Sequence, residues 1–337
     1  MLNEDRITRY VIIFIGLVFL AIVLNTFQAV LRPLAIAVLV IFLLSPLVRF
    51  SRDKNVPFGL LFGGLLIVSG IILVILFSYG SSAIGELKST LPSLGKGAAE
   101  ETGDLLGKLS VFGISPESIT PEKISALTRK AVTTGISTLS GLFFEALFVL
   151  IFMMFLIPSY PFMLENIKAR LGKTEAERAV RTYRKIEGDI RIYLVTKTLM
   201  SLGTAVCSAI ALYFFGANYI FISALILFML NFVPVVGSLV AVGIVVVLYI
   251  LSFDAGLTVL WLFLVLMIIQ IIFGNVLEPK IAGSRLNMSP ILILISLSLW
   301  SWIWGIIGML ISVPLTLVIL IVFRHVGGER LADEIAA

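Results

Sequence analysis

The chain has 337 residues, of which 59% are apolar and only 13% charged, about half the charge of an average soluble domain. A mean hydropathy of +1.12 and apolar runs recurring through most of the length exclude a soluble enzyme, a nucleic-acid binder and a disordered scaffold. The 25 Lys and Arg against 20 Asp and Glu give a net charge of +5, yet these basic residues flank apolar segments instead of gathering on one face, so the basicity encodes membrane orientation.

Arg6 and Arg9 precede an apolar run from Tyr10 to about Val30, too long for a cleaved leader and without a small-residue cleavage site, which predicts a retained first span with a cytoplasmic N-terminus. A helix needs roughly 20 residues to cross the hydrocarbon. Full-length candidates on that ruler are Tyr10 to Val30, Phe58 to Tyr79, Leu139 to Ile157, Leu194 to Phe215, Gly256 to Phe273 and Ile306 to Phe323. Shorter runs are Leu34 to Val48, Tyr219 to Val233, Val235 to Leu251 and Ile291 to Trp304; such runs cross with help from their flanks or turn back as re-entrant hairpins buried in protein. The expected fold is all-α, a polytopic helical membrane protein with about eight transmembrane helices plus short Pro-broken or re-entrant segments.

Two stretches are polar enough to leave the membrane. Residues 80–138 carry six basic and six acidic residues, whereas residues 158–192 carry eight basic against five acidic. The second is cytoplasmic by the positive-inside rule, and threading the spans from a cytoplasmic N-terminus then puts the basic clusters at Arg49 to Lys54, Lys280 to Arg285 and Arg324 to Arg330 on the same side. The predicted organisation is N-terminal spans over 1–79, an extracytoplasmic helical insert over 80–138, one span over 139–157 and a cytoplasmic amphipathic helix region over 158–192. A transport core over 193–326 and a cytoplasmic tail over 327–337 complete it. Thr174 and Glu177 have capping-box spacing, and Val180, Tyr183, Ile186, Ile190 and Leu194 repeat at helical spacing, so this helix should run straight into the next span. Thr120-Pro121-Glu122 and Ser115-Pro116-Glu117 each put a cap before a first-turn proline, predicting short amphipathic helices in the insert.

Polar residues and helix breakers inside apolar runs are the informative positions, because hydrocarbon penalises unpaired polar groups. The segment Leu230 to Ser238, LNFVPVVGS, holds Asn231, Pro234, Gly237 and Ser238; a second, Gly308 to Thr316, GMLISVPLT, holds Ser312 and Pro314. The two share Met, Leu, Val and Pro at a constant offset of 80, which reads either as an internal repeat marking a substrate site or as coincidence between two kinks. Between them, Asn275, Glu278 and Lys280 follow an apolar span that Pro279 should end. Glu278 and Lys280 either gate a cytoplasmic entrance, by pairing with each other or across a protomer boundary, or belong to a solvated loop. Lys197, at the start of a span, either takes part in gating or coupling or snorkels to the headgroups. Glu145 is the one carboxylate well inside an apolar run and either binds a proton or Na⁺ or bonds a neighbouring helix. Trp300, Trp302 and Trp304 read as an interfacial belt and His325 as a headgroup contact. Gly59, Gly63 and Gly64 suit one close helix contact, and the single Cys207 reads as a packed thiol. The sequence has no phosphate-binding loop, HExxH or CxxC, and its single His permits no Ser/His/Asp set. No cofactor, metal or enzymatic activity is therefore expected.

The YLVTK stretch (Tyr193 to Lys197), NFVPVVGS, GNVLEPKIAG and the Trp/Gly-rich segment leading into GMLISVPLT occur in that order. In these the chain resembles the autoinducer-2 exporter family, the PerM-like permeases. The resemblance implies a multi-span transporter of the bacterial inner membrane that exports a small signal in quorum sensing and assembles as a homopentamer; other members are described as Na⁺(Li⁺)/H⁺ antiporters. On this view Asn231, Ser238, Asn275 and Ser312 bond a small polar cargo, and the partners are cargo, lipid and further copies of the chain. Glu145 lies outside the family pattern.

Overall fold

The computed structural model describes residues 4–53, 59–60, 62–82, 85, 121–234, 236–250, 257–282 and 288–325, and among these the fold is helical without a strand. The order is α1 (Glu4–Thr26), α2 (Gln28–Asp53), α3 (Phe62–Ser82), α4 (Pro121–Arg170), α5 (Lys173–Phe214), α6 (Ile220–Leu230), α7 (Val236–Ile250) and α8 (Leu257–Gln270). A π-helical segment (Ile271–Leu277), α9 (Glu278–Ala282) and α10 (Pro290–His325) follow. Counting Leu257–Ile281 (α8 into α9) and Pro290–Phe323 (within α10) as one each, six of the described helices are long and apolar enough to cross a membrane, with Val11–Thr26, Ile220–Leu230 and Val236–Ile250 as shorter apolar helices. Many large apolar side chains stay exposed, such as Phe14, Leu60 and Phe214, as on surfaces facing lipid.

Boundaries depart from the hydropathy reading in several places. The first run ends at Thr26, a turn at Phe27 separates it from α2, and the short run after it becomes a full span, Gln28–Leu47, because α2 continues through Pro33 and Pro46. The run at Leu139 to Ile157 is the middle of a 50-residue helix, α4, that starts at Pro121 and passes through Pro158. Residues 121–138 are thus the first turns of α4, not a separate short helix, while the Ser115 to Glu117 motif lies outside the described residues. The basic region holds one break, at Leu171 and Gly172, after which α5 runs unbroken for 42 residues from Lys173. That start makes Gly172 the cap position, and no side-chain capping bond forms there, so Thr174 sits two residues too late for the predicted capping box. Pro279 does not end a helix either: the helical run from Leu257 passes through it to Ala282, with the π-helical segment Ile271–Leu277 just before it. A Cβ added at Gly59, Gly63 or Gly64 would meet nothing within 4 Å, so the close contact predicted there does not form among the described residues.

Two helical hairpins define the C-terminal half. In the first, α6 and α7 are too short to span and are joined by a tight tip that includes residues 231–234, where Phe232, Val233 and Gly237 donate backbone bonds to Met229, Leu230 and Val233. The Leu230 carbonyl occupies the place a Gly237 Cβ would take, so only glycine permits this closure. In the second, α10 is interrupted at Gly305, whose φ of 65° and ψ of −146° lie in a region essentially closed to other residues. Across the break the Trp300 indole donates to the Thr316 hydroxyl at 3.0 Å. In a straight helix, 16 residues would separate these groups by about 24 Å, so the chain folds back at Gly305. The Trp304 indole donates to the Leu24 carbonyl at 3.0 Å, filling an acceptor left open in the last turn of α1. Trp300 and Trp304 are buried, and only Trp302 is exposed, so two of the three tryptophans predicted as an interfacial belt instead fasten this hairpin. The side chain of His325 lies outside the described residues.

The hairpins also decide between the two readings of the 80-residue offset. Pro234 sits in the tip of the first hairpin, whereas Pro314 lies inside the second arm of α10, nine residues beyond its turn. The matching tetrads do not occupy matching places, so the offset is no structural repeat. Buried clusters hold the parts together: Leu212, Leu227, Val242, Val245, Leu262 and Leu266 join the first hairpin to α5 and α8, and Leu39, Phe42, Ile186, Ile190, Leu317 and Ile321 join α2, α5 and α10.

Candidate functional site

Buried polar side chains of the C-terminal half line one face of α5. Tyr193, Lys197, Ser201, Thr204 and Ser208 are all buried, and at 3.6 residues per turn they fall within an arc of about 80°. A polar stripe this long inside an apolar bundle needs partners. The structure supplies two. The Lys197 ammonium reaches both Glu278 carboxylate oxygens at 2.9 Å, and the Asn231 amide donates to the Ser201 hydroxyl at 3.2 Å. One bond ties α5 to α9, and the other ties it to the tip of the first hairpin.

The geometry reorganises the residues predicted from sequence. Glu278 pairs with Lys197 of the same chain, not with Lys280, which is exposed. Lys197 does not snorkel, because burial and the facing carboxylate hold it inward. Asn231, Pro234, Gly237 and Ser238 come together at the hairpin tip, with Asn231 and Gly237 buried and Pro234 and Ser238 half-buried. Asn275 lies on an exposed turn of the π-helical segment. Ser312 is buried on α10, and its hydroxyl donates to the Met309 carbonyl of its own helix at 2.8 Å, a local bond that leaves it little donor capacity for a ligand. Pro314 is buried beside it.

Glu145 belongs to a different part of the bundle. Its carboxylate accepts from the Arg32 guanidinium of α2, a residue the sequence reading passed over, and this pair joins α2 to α4 beside an apolar cluster of Ala37, Ile41, Val149 and Met153. Glu145 is buried and Arg32 partly exposed, the arrangement of a charge-assisted structural clamp. Glu145→Gln is expected to lower unfolding stability by about 2 kcal/mol while transport continues, as thermal unfolding and flux measured on the same preparation will report. Loss of flux at unchanged stability would contradict the clamp and assign the carboxylate to ion transfer.

Sequence reasoning also missed Ser201, Thr204, Ser208 and Gln270. The signal was present: on α5 the spacing 193, 197, 201, 204, 208 is helical, and Gln270 is the one amide in the apolar run from Gly256 to Phe273.

Comparison with known proteins adds the family. The family model described as "AI-2E family transporter" matches residues 9–327. The chain is 29% identical over 332 residues to the "AI-2 transport protein TqsA" of Escherichia coli (strain K12), covering 96% of this chain and 94% of that one. It is also 29% identical over 317 residues to a Borreliella burgdorferi protein, covering 94% of this chain and 85% of the relative. A third relative, YhhT of Escherichia coli, is 27% identical over 306 residues, 89% of this chain and 86% of its own. The last two are named only in general terms as transport proteins. A match across almost the entire chain, on a polytopic helical fold, has one conclusion: the chain belongs to the AI-2E transporter family.

Proposed function

We propose that this transporter exports a small, polar, uncharged signal molecule, with autoinducer-2 as the leading cargo, by alternating access in the bacterial inner membrane. The observation that carries the reading is the polar face of α5 meeting the hairpin tip at Asn231 and Ser201. It offers hydrogen-bonding groups deep in the bundle without an unpaired fixed charge, since Lys197 and Glu278 neutralise each other. Autoinducer-2 is a dihydroxypentanedione derivative, whose hydroxyls and carbonyls need such donors and acceptors. The name of the TqsA relative, which refers to AI-2 transport, agrees with this cargo. Both termini are assigned to the cytoplasm by the basic loops, and a homopentameric assembly follows the family resemblance.

A second reading, Na⁺(Li⁺)/H⁺ antiport through Glu145, draws on the one Glu145 carboxylate oxygen that is buried without a partner. It is the weaker reading because Arg32 already neutralises that carboxylate. The test compares purified Asn231→Ala and Ser312→Ala with wild type in proteoliposomes loaded with labelled autoinducer-2. Asn231→Ala is expected to lower the flux about tenfold by removing the amide at the hairpin tip. Ser312→Ala, whose hydroxyl serves its own helix, should have the smaller effect. Wild-type flux from Asn231→Ala would remove the hairpin tip from the cargo path.

A further inference from the structure

We propose that Thr204 and Ser208 of α5, with Gln270 at the end of α8, form the recognition surface for an uncharged cargo bearing neighbouring hydroxyl and carbonyl groups. This inference rests on the transport reading above and names the residues and ligand class of its site.

The placement follows from register. Helices α5 and α8 run antiparallel: Lys197 meets Glu278, the Phe273 ring lies where a Gly203 Cβ would stand, and Leu212 shares a buried cluster with Leu262 and Leu266. Each match sums to nearly the same total of residue numbers, which sets Gln270 opposite the turn between Thr204 and Ser208. This level lies about 13 Å along α5 from the Lys197 ion pair.

Four polar atoms at this level have no partner. Thr204 and Ser208 are fully buried and Gln270 is 6% exposed, yet the Thr204 hydroxyl, the Ser208 hydroxyl and both the oxygen and the nitrogen of the Gln270 amide lack a hydrogen bond. Serines in membrane helices commonly satisfy themselves on the carbonyl three or four residues back, and Ser296, Ser298 and Ser312 of α10 do so. Thr204 and Ser208 do not. Each unpaired buried group carries a desolvation cost, so three such side chains from two facing helices at one level point to a ligand. Gln270 also stands immediately before the π-helical segment, a distortion that recurs at functional sites.

The chemistry of the four atoms selects the class. Two hydroxyls each donate and accept, the amide oxygen accepts, and the amide nitrogen donates. A bare cation would pair with the oxygens and leave the nitrogen without an acceptor. An anion would satisfy the donors and lose its own charge solvation with no cation at this level, since residues 201–212 and 262–273 contain no Lys, Arg or His. A neutral molecule with adjacent hydroxyl and carbonyl groups matches all four.

The experiment uses the full-length protein in proteoliposomes with labelled autoinducer-2 as probe, and pairs the half-saturation concentration for flux with the melting temperature of the cargo-free protein. Gln270→Leu and Thr204→Val are expected to raise half-saturation about tenfold, while the melting temperature stays level or rises because an unpaired polar group has left the interior. Thr204→Ser should recover most of what Thr204→Val loses. Unchanged half-saturation with a lowered melting temperature would make these side chains structural and overturn the proposal, leaving the transport reading intact. Absence of probe flux in wild type would overturn both.

Discussion

Lys197→Met is expected to be the most damaging single substitution along the polar face of α5. It strands the Glu278 carboxylate, which is 22% exposed, without its only described cation. Breaking one side of a buried ion pair costs about 3 kcal/mol, against the 5 to 15 kcal/mol by which typical domains are stable. The comparison that isolates the charge is the double variant Lys197→Met with Glu278→Gln, which removes both ions and should recover more than half of the lost stability. Transport should remain impaired in the double variant, because the pair is the strap between α5 and α9. Equilibrium unfolding of the three variants in one detergent measures the coupling. Additive losses, with no recovery in the double variant, would show that Lys197 and Glu278 act independently.

The second large effect is expected at Gly305. Any Cβ there is strained at a φ of 65° and ψ of −146°, which costs of order 1–3 kcal/mol and drives the two arms of α10 toward one straight helix. Gly305→Ala should therefore separate Trp300 from Thr316 and Trp304 from Leu24, and its indole fluorescence should shift as buried rings move toward lipid or solvent. Gly243, exposed on α7 with nothing within 4 Å of its added Cβ, provides the control: Gly243→Ala should be neutral or slightly stabilising. Equal melting temperatures for the two variants would mean that the turn at Gly305 is not a structural requirement.

Much of this architecture was legible because hydrocarbon imposes a simple rule on sequence. Apolar runs fall on each long helix among the described residues, although the run in α2 reads as too short, and the short runs flanking Leu230 to Ser238 left open whether they cross or turn back. The break between Trp304 and Ile306 was also visible, but hydropathy alone could not tell that Gly305 reverses the chain; that depends on a backbone conformation and on the bond from Trp300 to Thr316. Boundaries failed where helices outlast their apolar part, as α4 does at both ends, since hydropathy measures the solvent around a helix and not the persistence of its backbone bonds.

The site was less legible, for two physical reasons. Ion-pair partners lie far apart in sequence: Lys197 and Glu278 are separated by 81 positions and Arg32 and Glu145 by 113, and nothing local to either residue names its partner. Hydroxyls are ambiguous as well, because a serine in a membrane helix can bond its own backbone or a ligand. Ser312 and Ser208 look alike in the sequence, yet the first is satisfied within its helix and the second is not.

The central claim is that this member of the family moves an uncharged polar solute. Its most direct test is flux in proteoliposomes of the purified wild-type protein, reading labelled autoinducer-2 and an internal pH dye in the same vesicles while Na⁺ or Li⁺ is added outside. Saturable movement of the label with no change in the dye is the predicted result. Cation-evoked proton movement without flux of the label would contradict it and make Glu145 the residue on which transport turns.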